Sequence, residues 1–478
     1  MASIQSDVLG RVYEELIPAD ERHQLGQYYT PPPIVELITE MCVRSPNDKI
    51  LDPGCGSGGF LVKAYYKLKE LRKKENPLAS DATLHKQLLG QLYGIDINQF
   101  PASLSAINLA VRNLKVKSDT ITIVVSDFFK IDPSMALFSK ESFDAVVTNP
   151  PYTDWREMEH REKIRQVALR YTGGLAMEVG RQAGIYVYFF LHGAKFLAPS
   201  GRMGFIVSDA WLDLDYGVGL KKFFMDHFKI KAIIGHDKGV FEKALVNTVI
   251  VILEKTEGND LKQLRDENLV RFARIKKVIS IDAILKSINE VDASFEDERI
   301  RIIPKKQGDL DPNEKWGTYL RAPLIYFKIS PNPQVVKLRD LADTKIGLQT
   351  YADRFYILDK ELAGFWGIEK EYLKPIVTSP RHVKHLSIDS KEQADAYALT
   401  VSEDKDSLRG KNVLKYIEHS ESVEVPVRKK GFTVKGYNNL PKIKSTRREP
   451  WYNLGSISSA PILFPYMMWE RTLFIWNK

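Results

Sequence analysis

The chain has 478 residues, 44% of them apolar and 27% charged, an ordinary balance for globular proteins that excludes extended disorder and a fibrous repeat and leaves room for two or three domains. Lys and Arg outnumber Asp and Glu by 69 to 61, a net charge of +8 that suits a polyanionic partner without requiring one. Two cysteines (Cys42 and Cys55) without zinc-site spacing, an N-terminus without the apolar core of a secretory leader, and no apolar run near the ~20 residues that span a bilayer point to a reducing, cytoplasmic setting, with no metal site and no membrane.

In chain order, apolar spacing predicts helices over residues 7–16 and 33–44, separated by the turn HQLGQYYTPP, whose prolines set the second start. From Lys49 short apolar strands alternate with helices: KILD, a helix after Gly58, QLYGIDI, a helix from Ala102, TITIVVSD and FDAVVTNP. The series continues with a helix over 183–197, RMGFIVS, a helix near 216–228, IKAIIGH and NTVIVILEK. Such alternation predicts an α/β domain on a parallel sheet of six or seven strands. The polar stretch 153–182, longer than an ordinary connection and placed just after a strand, is where a functional loop is expected. Around 301–317, RIIPKKQGDLDPNEKWG has the Pro, Gly and charge content of a linker, and the alternation fades beyond it. The expected organisation is therefore a helical segment over 1–48, an α/β domain over 49–305, and a mixed α/β domain over 306–478.

Asp52-Pro-Gly-Cys-Gly-Ser-Gly-Gly-Phe60 follows a strand and opens a helix, so Gly54, Gly56 and Gly58 allow a ligand to approach the backbone beside a helix N-terminus. A tight strand-to-helix turn is the plain alternative, and a dinucleotide site is the rival. The rival needs an acid ~20 residues further on. Here Asp96 ends the next strand much later, because a basic helix-like stretch over 67–89 intervenes. Asp96 in GIDIN is placed to accept from two ribose hydroxyls, and Asp127, with Phe128 beside it, to accept from an adenine amine while the ring packs on its face. Either acid alone could be a solvent-facing strand end; three acids ending three successive strands favour one nucleoside-shaped site.

Asn149-Pro150-Pro151-Tyr152, directly after FDAVVT, is the most specific feature. The lone pair of an aromatic amine is delocalised into its ring, so a catalyst must favour pyramidal nitrogen and aim that lone pair at an electrophile. The Asn149 amide oxygen and the Pro150 carbonyl would accept the two N–H bonds, the prolines would stiffen the turn, and Tyr152 would stack on the base. No strong side-chain base is required; orientation and electrostatics carry the rate. An ordinary proline turn is the alternative, disfavoured by the glycine loop upstream.

GQYYTPPPIVELI, LDPGCGSGGF, YGIDIN, VVSDFF and VVTNPPY, in this order, resemble the gamma-class N6-adenine DNA methyltransferases of restriction-modification and related defence systems, over roughly residues 5–255. The resemblance implies a seven-stranded Rossmann-like fold that binds S-adenosyl-L-methionine, with Tyr29, Thr30 and Pro31 at its methionine part and Asp52, the three glycines, Asp96, Asp127 and Phe128 at the rest. It implies that Phe241 supplies a second aromatic against the flipped base; an ordinary packed Phe is the alternative. Beyond residue 310, IGLQTYADRFYIL, YLKPIVTSPRHVKHL and EPWYNL look like pieces of the target-recognition region of type IIG and Eco57I-like enzymes, which implies phosphate contacts by Arg354, Lys374, Arg381 and Lys384. The final apolar run suggests a shortened recognition region. The implied partner is double-stranded DNA, with room for a specificity or restriction subunit. An RNA or protein-glutamine methyltransferase and an inactive DNA-binding subunit are the competing readings, and no cleavage by this chain alone is expected.

Overall fold

The computed structural model describes residues 30–116, 121–135, 142–152, 162, 164, 166, 180, 182–237, 247–258, 260–379, 382–383, 385–390, 393–427, 432–455, 458–465 and 473–478. The helix expected over 7–16 and nearly all of the stretch 153–182 lie outside the described residues. Two compact units divide the chain, Met1–Asn332 and Pro333–Lys478.

In the first unit, α1 (Pro32–Cys42) opens with proline in its first turn, where a missing N–H costs nothing. There follow β1 (Ile50–Asp52), α2 (Gly59–Glu75), α3 (Asp81–Leu89), β2 (Leu92–Asp96), α4 (Gln99–Ala110), β3 (Thr122–Val125) and β4 (Phe143–Thr148). After these come α5 (Ile185–Gly193), β5 (Leu197–Ser208), α6 (Gly217–His227), β6 (Phe228–His236), β7 (Thr248–Lys255), β8 (Leu269–Ile275), α7 (Ile281–Glu290), β9 (Phe295–Glu296) and β10 (Ile300–Lys306). The basic stretch 67–89 is the end of α2 and all of α3, the latter capped by the Ser80 hydroxyl accepting from the Thr83 N–H at 3.1 Å.

All ten strands form one sheet in the order β3-β2-β1-β4-β5-β7-β6-β8-β10-β9. The seven expected strands are its first seven positions. The parallel sheet expected from the alternation is found from β3 through β5, while β7 runs antiparallel to both β5 and β6. Residues 269–306 extend the sheet by three strands that the sequence reading did not count.

The strands read as continuous apolar runs because both faces are covered. Along β7, Val249, Val251 and Leu253 enter one core with α5 and α6, while Ile250 and Ile252 enter the other with α1, α2 and α7. Helix α1 is clamped by Lys63–Glu36 at 2.8 Å and Lys67–Glu40 at 2.5 Å. On its sheet side, Arg202 of β5 binds Glu254 at 3.0 Å and donates to the Met41 carbonyl at 2.5 Å.

The first unit continues past the expected boundary at 305. Residues 307–332 return onto the α5/α6 face, where fully buried Trp316 sits 6.1 Å from both Trp211 and Phe272. Its indole N–H donates to Asp311 O at 2.9 Å, and Lys221, buried beside it, donates to Glu314 O at 2.7 Å. The linker-like composition conceals an anchored strap.

The second unit has its own core of Phe355, Tyr356, Tyr372, Leu399, Ile417 and Tyr452 among others. Its largest antiparallel sheet sets Ala396–Leu399 between Ile357–Leu358 and Leu373–Ile376. Among the described residues no helix is long and apolar enough to cross a membrane.

Candidate active site

Strand order reverses between β1 and β4: β2 and β3 lie beyond β1, and β5 lies beyond β4. In open α/β sheets ligands bind outside the carboxyl ends of the strands at such a point. The candidate residues stand there in a row, with Asp127 after β3, Asp96 at the end of β2, Asp52 at the end of β1 and Asn149 just after β4.

Asp52 is 1% exposed, and its Oδ1 accepts from the Gly54 N–H at 3.2 Å. Burial pushes its carboxyl up to about 7. Asp96 closes the glycine loop: its Oδ2 accepts from the Gly56 N–H at 2.9 Å and its Oδ1 from the Asn98 N–H at 2.8 Å. Burial raises this carboxyl too, against those two bonds. Among the described residues no cation bears on either group. That donor set suits a ligand bringing hydroxyls and positive charge.

The loop's shape depends on glycine at two left-handed positions, Gly56 (φ 51°) and Gly58 (φ 94°). A Cβ on Gly56 would meet nothing within 4 Å, whereas one on Gly58 would stand 2.6 Å from Ser105 Oγ and 3.2 Å from its Cα on α4. Gly58→Ala therefore adds a clash to the backbone strain. It is expected to cost about 2 kcal/mol and to lower Tm by roughly 5 °C, with Gly56→Ala costing less than half as much, as differential scanning calorimetry of the pair will show.

The Asn149 turn is braced from three sides. Its Nδ2 donates to the hydroxyl of buried Thr30 at 3.0 Å, across 119 positions of sequence. Behind it, Gly54 lies so close that an added Cβ would stand 3.2 Å from Thr148 Oγ1 and 3.9 Å from the Asn149 carbonyl. Beyond it, the Tyr152 hydroxyl donates to the Ile206 carbonyl of β5 at 3.3 Å, which fixes a half-buried ring at the mouth. Pro150 is buried and Pro151 half-buried. Sequence reasoning singled out Thr30 but missed its bond to Asn149, and missed Thr148 and Ile206 altogether; no local signal marks such long-range partners.

Asp127 caps a short turn, its Oδ1 accepting from the Phe129 N–H at 3.0 Å. Phe128 is 3% exposed, its ring 4.5 Å from His192, 5.2 Å from Phe189 and 5.4 Å from Phe196. The ring expected on a ligand face is thus enclosed in the core. His192 Nε2 lies 3.0 Å from Phe128 O and 2.9 Å from Ile131 O, and burial lowers its pKa to about 4. A neutral His192 thereby holds the Asp127 turn against α5.

The structure brings together Thr30, Asp52, Gly54, Gly56, Gly58, Asp96, Asn149 and Tyr152, with buried Pro31 beginning the turn into α1. Tyr29, Phe241, Arg381 and Lys384 lie outside the described residues. Arg354 and Lys374 are exposed on the second unit. Among the described residues no group of three or more His, Cys, Asp or Glu is placed to hold a metal ion.

Comparison with known proteins also divides the chain in two, at a seam between residues 305 and 314 that precedes the end of the first compact unit. A family model described as N-6 DNA Methylase matches residues 4–305, and one described as Type II methyltransferase M.Eco57I, C-terminal domain, matches residues 314–478. Type II methyltransferase M.AccI of Acinetobacter calcoaceticus is 22% identical over 99% of this chain and 77% of its own. Type II methyltransferase M.BstVI of Geobacillus stearothermophilus is 26% identical over 74% of this chain and 63% of its own, so the chain spans under two thirds of that relative. The solved structure of the Type IIL restriction-modification enzyme MmeI in complex with DNA is similar in fold, with a TM-score of 0.59 and 14% identity over 99% of this chain and 64% of that one.

Proposed function

The chain belongs to the N-6 DNA methylase family, and on that premise we propose that it transfers the methyl group of S-adenosyl-L-methionine to the exocyclic N6 amine of an adenine flipped out of duplex DNA, as the modification enzyme of a restriction-modification system. The observation that carries this reading is the Asn149 turn, set at the sheet's reversal point beside two acids that have no cation partner among the described residues.

The residues present fit the cofactor. Asp96 has lone pairs left for ribose hydroxyls, Asp52 and the opening at Gly56 suit its cationic part, and Asp127 can accept from its adenine amine. When bound, the cofactor supplies an electrophilic methyl group on a sulfonium. The chain's own part is to bind and orient. The bond from Nδ2 to the Thr30 hydroxyl holds the Asn149 amide in place and leaves Oδ1 as the atom it offers as an acceptor. Together with the Pro150 carbonyl, Oδ1 takes the two N–H bonds of the target amine. The lone pair is thereby released from ring conjugation, and the proton lost after transfer leaves from a nitrogen made acidic by alkylation. Tyr152, its hydroxyl tethered to Ile206, offers a ring of fixed orientation on which the extruded base stacks.

The reading is tested by incubating the protein with genomic DNA and radiolabelled S-adenosyl-L-methionine and digesting the DNA to nucleosides. Label in N6-methyladenine is the expected result; label in RNA or protein with none in DNA would refute it. The bond from Asn149 to Thr30 has its own signature. Thr30→Val lowers kcat about tenfold, the worth of one hydrogen bond, with little change in cofactor Kd, and Thr30→Ser restores the rate. Single-turnover kinetics beside equilibrium cofactor binding will separate the two effects.

A further inference from the structure

The second unit holds a strained, exposed aromatic that its core does not use. Tyr351 has φ 60°, a left-handed conformation uncommon for a bulky side chain, yet it is 44% exposed. Its neighbours Ala352, Phe355 and Tyr356 all enter the unit's core and Tyr351 does not. Two cations lie over the ring, Lys442 with Nζ 5.6 Å from the centroid and the Arg448 guanidinium at 5.9 Å.

The conformation is imposed from outside the loop. The Arg448 guanidinium donates to Gln349 O at 3.1 Å and to Thr350 O at 3.5 Å, clamping the two carbonyls before Tyr351. The Thr350 hydroxyl accepts from the Ala352 N–H at 3.2 Å and is bonded to the Asp353 carboxylate. Exposed Arg354 follows three residues on. The acids nearby are Asp353, engaged by Thr350, and exposed Glu449 next to Arg448. A solvated face would not hold a tyrosine in a conformation that glycine adopts freely. An aromatic ring presented beside cations is how proteins pack against a sugar or base while meeting the adjoining phosphates.

We propose that Tyr351 is a DNA contact of the second unit, its ring packing on a deoxyribose or base while Lys442 and Arg354 meet phosphates on either side. The inference rests on the reading that duplex DNA is the substrate, and to the phosphate contact that the resemblance implies for Arg354 it adds Tyr351 and Lys442. Arg448 acts through Tyr351, as a positioning residue.

The test measures binding of the full chain to a fluorescein-labelled mixed-sequence duplex across a salt series, with thermal unfolding of each variant alongside. Tyr351→Ala and Tyr351→Gly are expected to weaken binding about tenfold at an unchanged salt slope, and Tyr351→Phe to keep wild-type affinity, since stacking needs the ring and not the hydroxyl. Lys442→Ala should lower the salt slope by about one, the mark of one phosphate contact. Tyr351→Gly separates structure from function because it relieves the backbone: a higher Tm with weakened DNA binding supports the contact. A higher Tm with wild-type binding overturns it, and so does a loss seen only with single-stranded RNA. Tyr351-dependent duplex binding by a protein that transfers no label to DNA would sink the proposed activity and leave this contact standing.

Discussion

Asn149→Ala is expected to reduce kcat about a thousandfold while leaving cofactor Kd within a factor of two, the pattern of an interaction made only in the transition state. The side chain does two things that alanine cannot. On the proposed reading its Oδ1 would accept from the target amine, while the bond from Nδ2 to the Thr30 hydroxyl holds the amide in position. Asn149→Asp keeps an acceptor, and the Thr30 hydroxyl can donate to it, so it should retain more activity than Asn149→Ala. Rapid-quench measurement of the first turnover reads the chemical step directly. Near-wild-type turnover by Asn149→Ala would mean that another group orients the amine.

The second large effect concerns stability. The Asp52 carboxyl titrates near 3.8 when exposed and is pushed up to about 7 by burial in the folded chain. Between those values the folded state holds more protons than the unfolded one, so stability declines as pH rises from about 4 to about 7, then stays low. Asp52→Asn removes this group's share of the decline. It should stabilise the cofactor-free protein above neutral pH by up to roughly 4 kcal/mol. Asp96 is raised by burial as well and slopes the same way, so the variant's profile should flatten without becoming level. The same substitution should weaken cofactor binding, because the position gives up a negative charge facing a cationic ligand. Urea unfolding across that pH range, followed by the fluorescence of the first unit's buried Trp211 and Trp316, checks the first claim. Equal pH slopes for wild type and variant would show that Asp52 is not the group responsible.

These two residues were legible because strand, turn and chemistry coincide in a few consecutive letters: LDPG and VVTNPPY each place a polar residue at the carboxyl end of an apolar run. The first seven strands were legible for the same reason. What escaped is what depends on distant partners. β8, LVRFARI, carries Arg271 and Arg274, which pair with Asp292 at 2.8 Å and Asp237 at 2.6 Å, so its polarity disguised a strand with buried Val270, Phe272 and Ile275. Phe128 sits in the expected motif, yet nothing in VVSDFF tells whether its ring faces a ligand or the core; His192, Phe189 and Phe196 decide it from another helix and its C-terminal turn. The strand-like runs beyond residue 310 gave a mixed fold and little else, since their strands are two to four residues long.

The strap over 307–332 bears on where hybrids of two related chains can be joined. By packing, the boundary lies after Asn332, although the C-terminal family match begins at residue 314, inside the strap. A crossover at Lys306, where the sheet ends, would import a foreign Trp316 into a socket shaped by resident Trp211 and Phe272. Hybrids joined there should depend on matching sockets, whereas hybrids joined after residue 332 inherit the first unit entire and can carry a new second unit without repacking the old core.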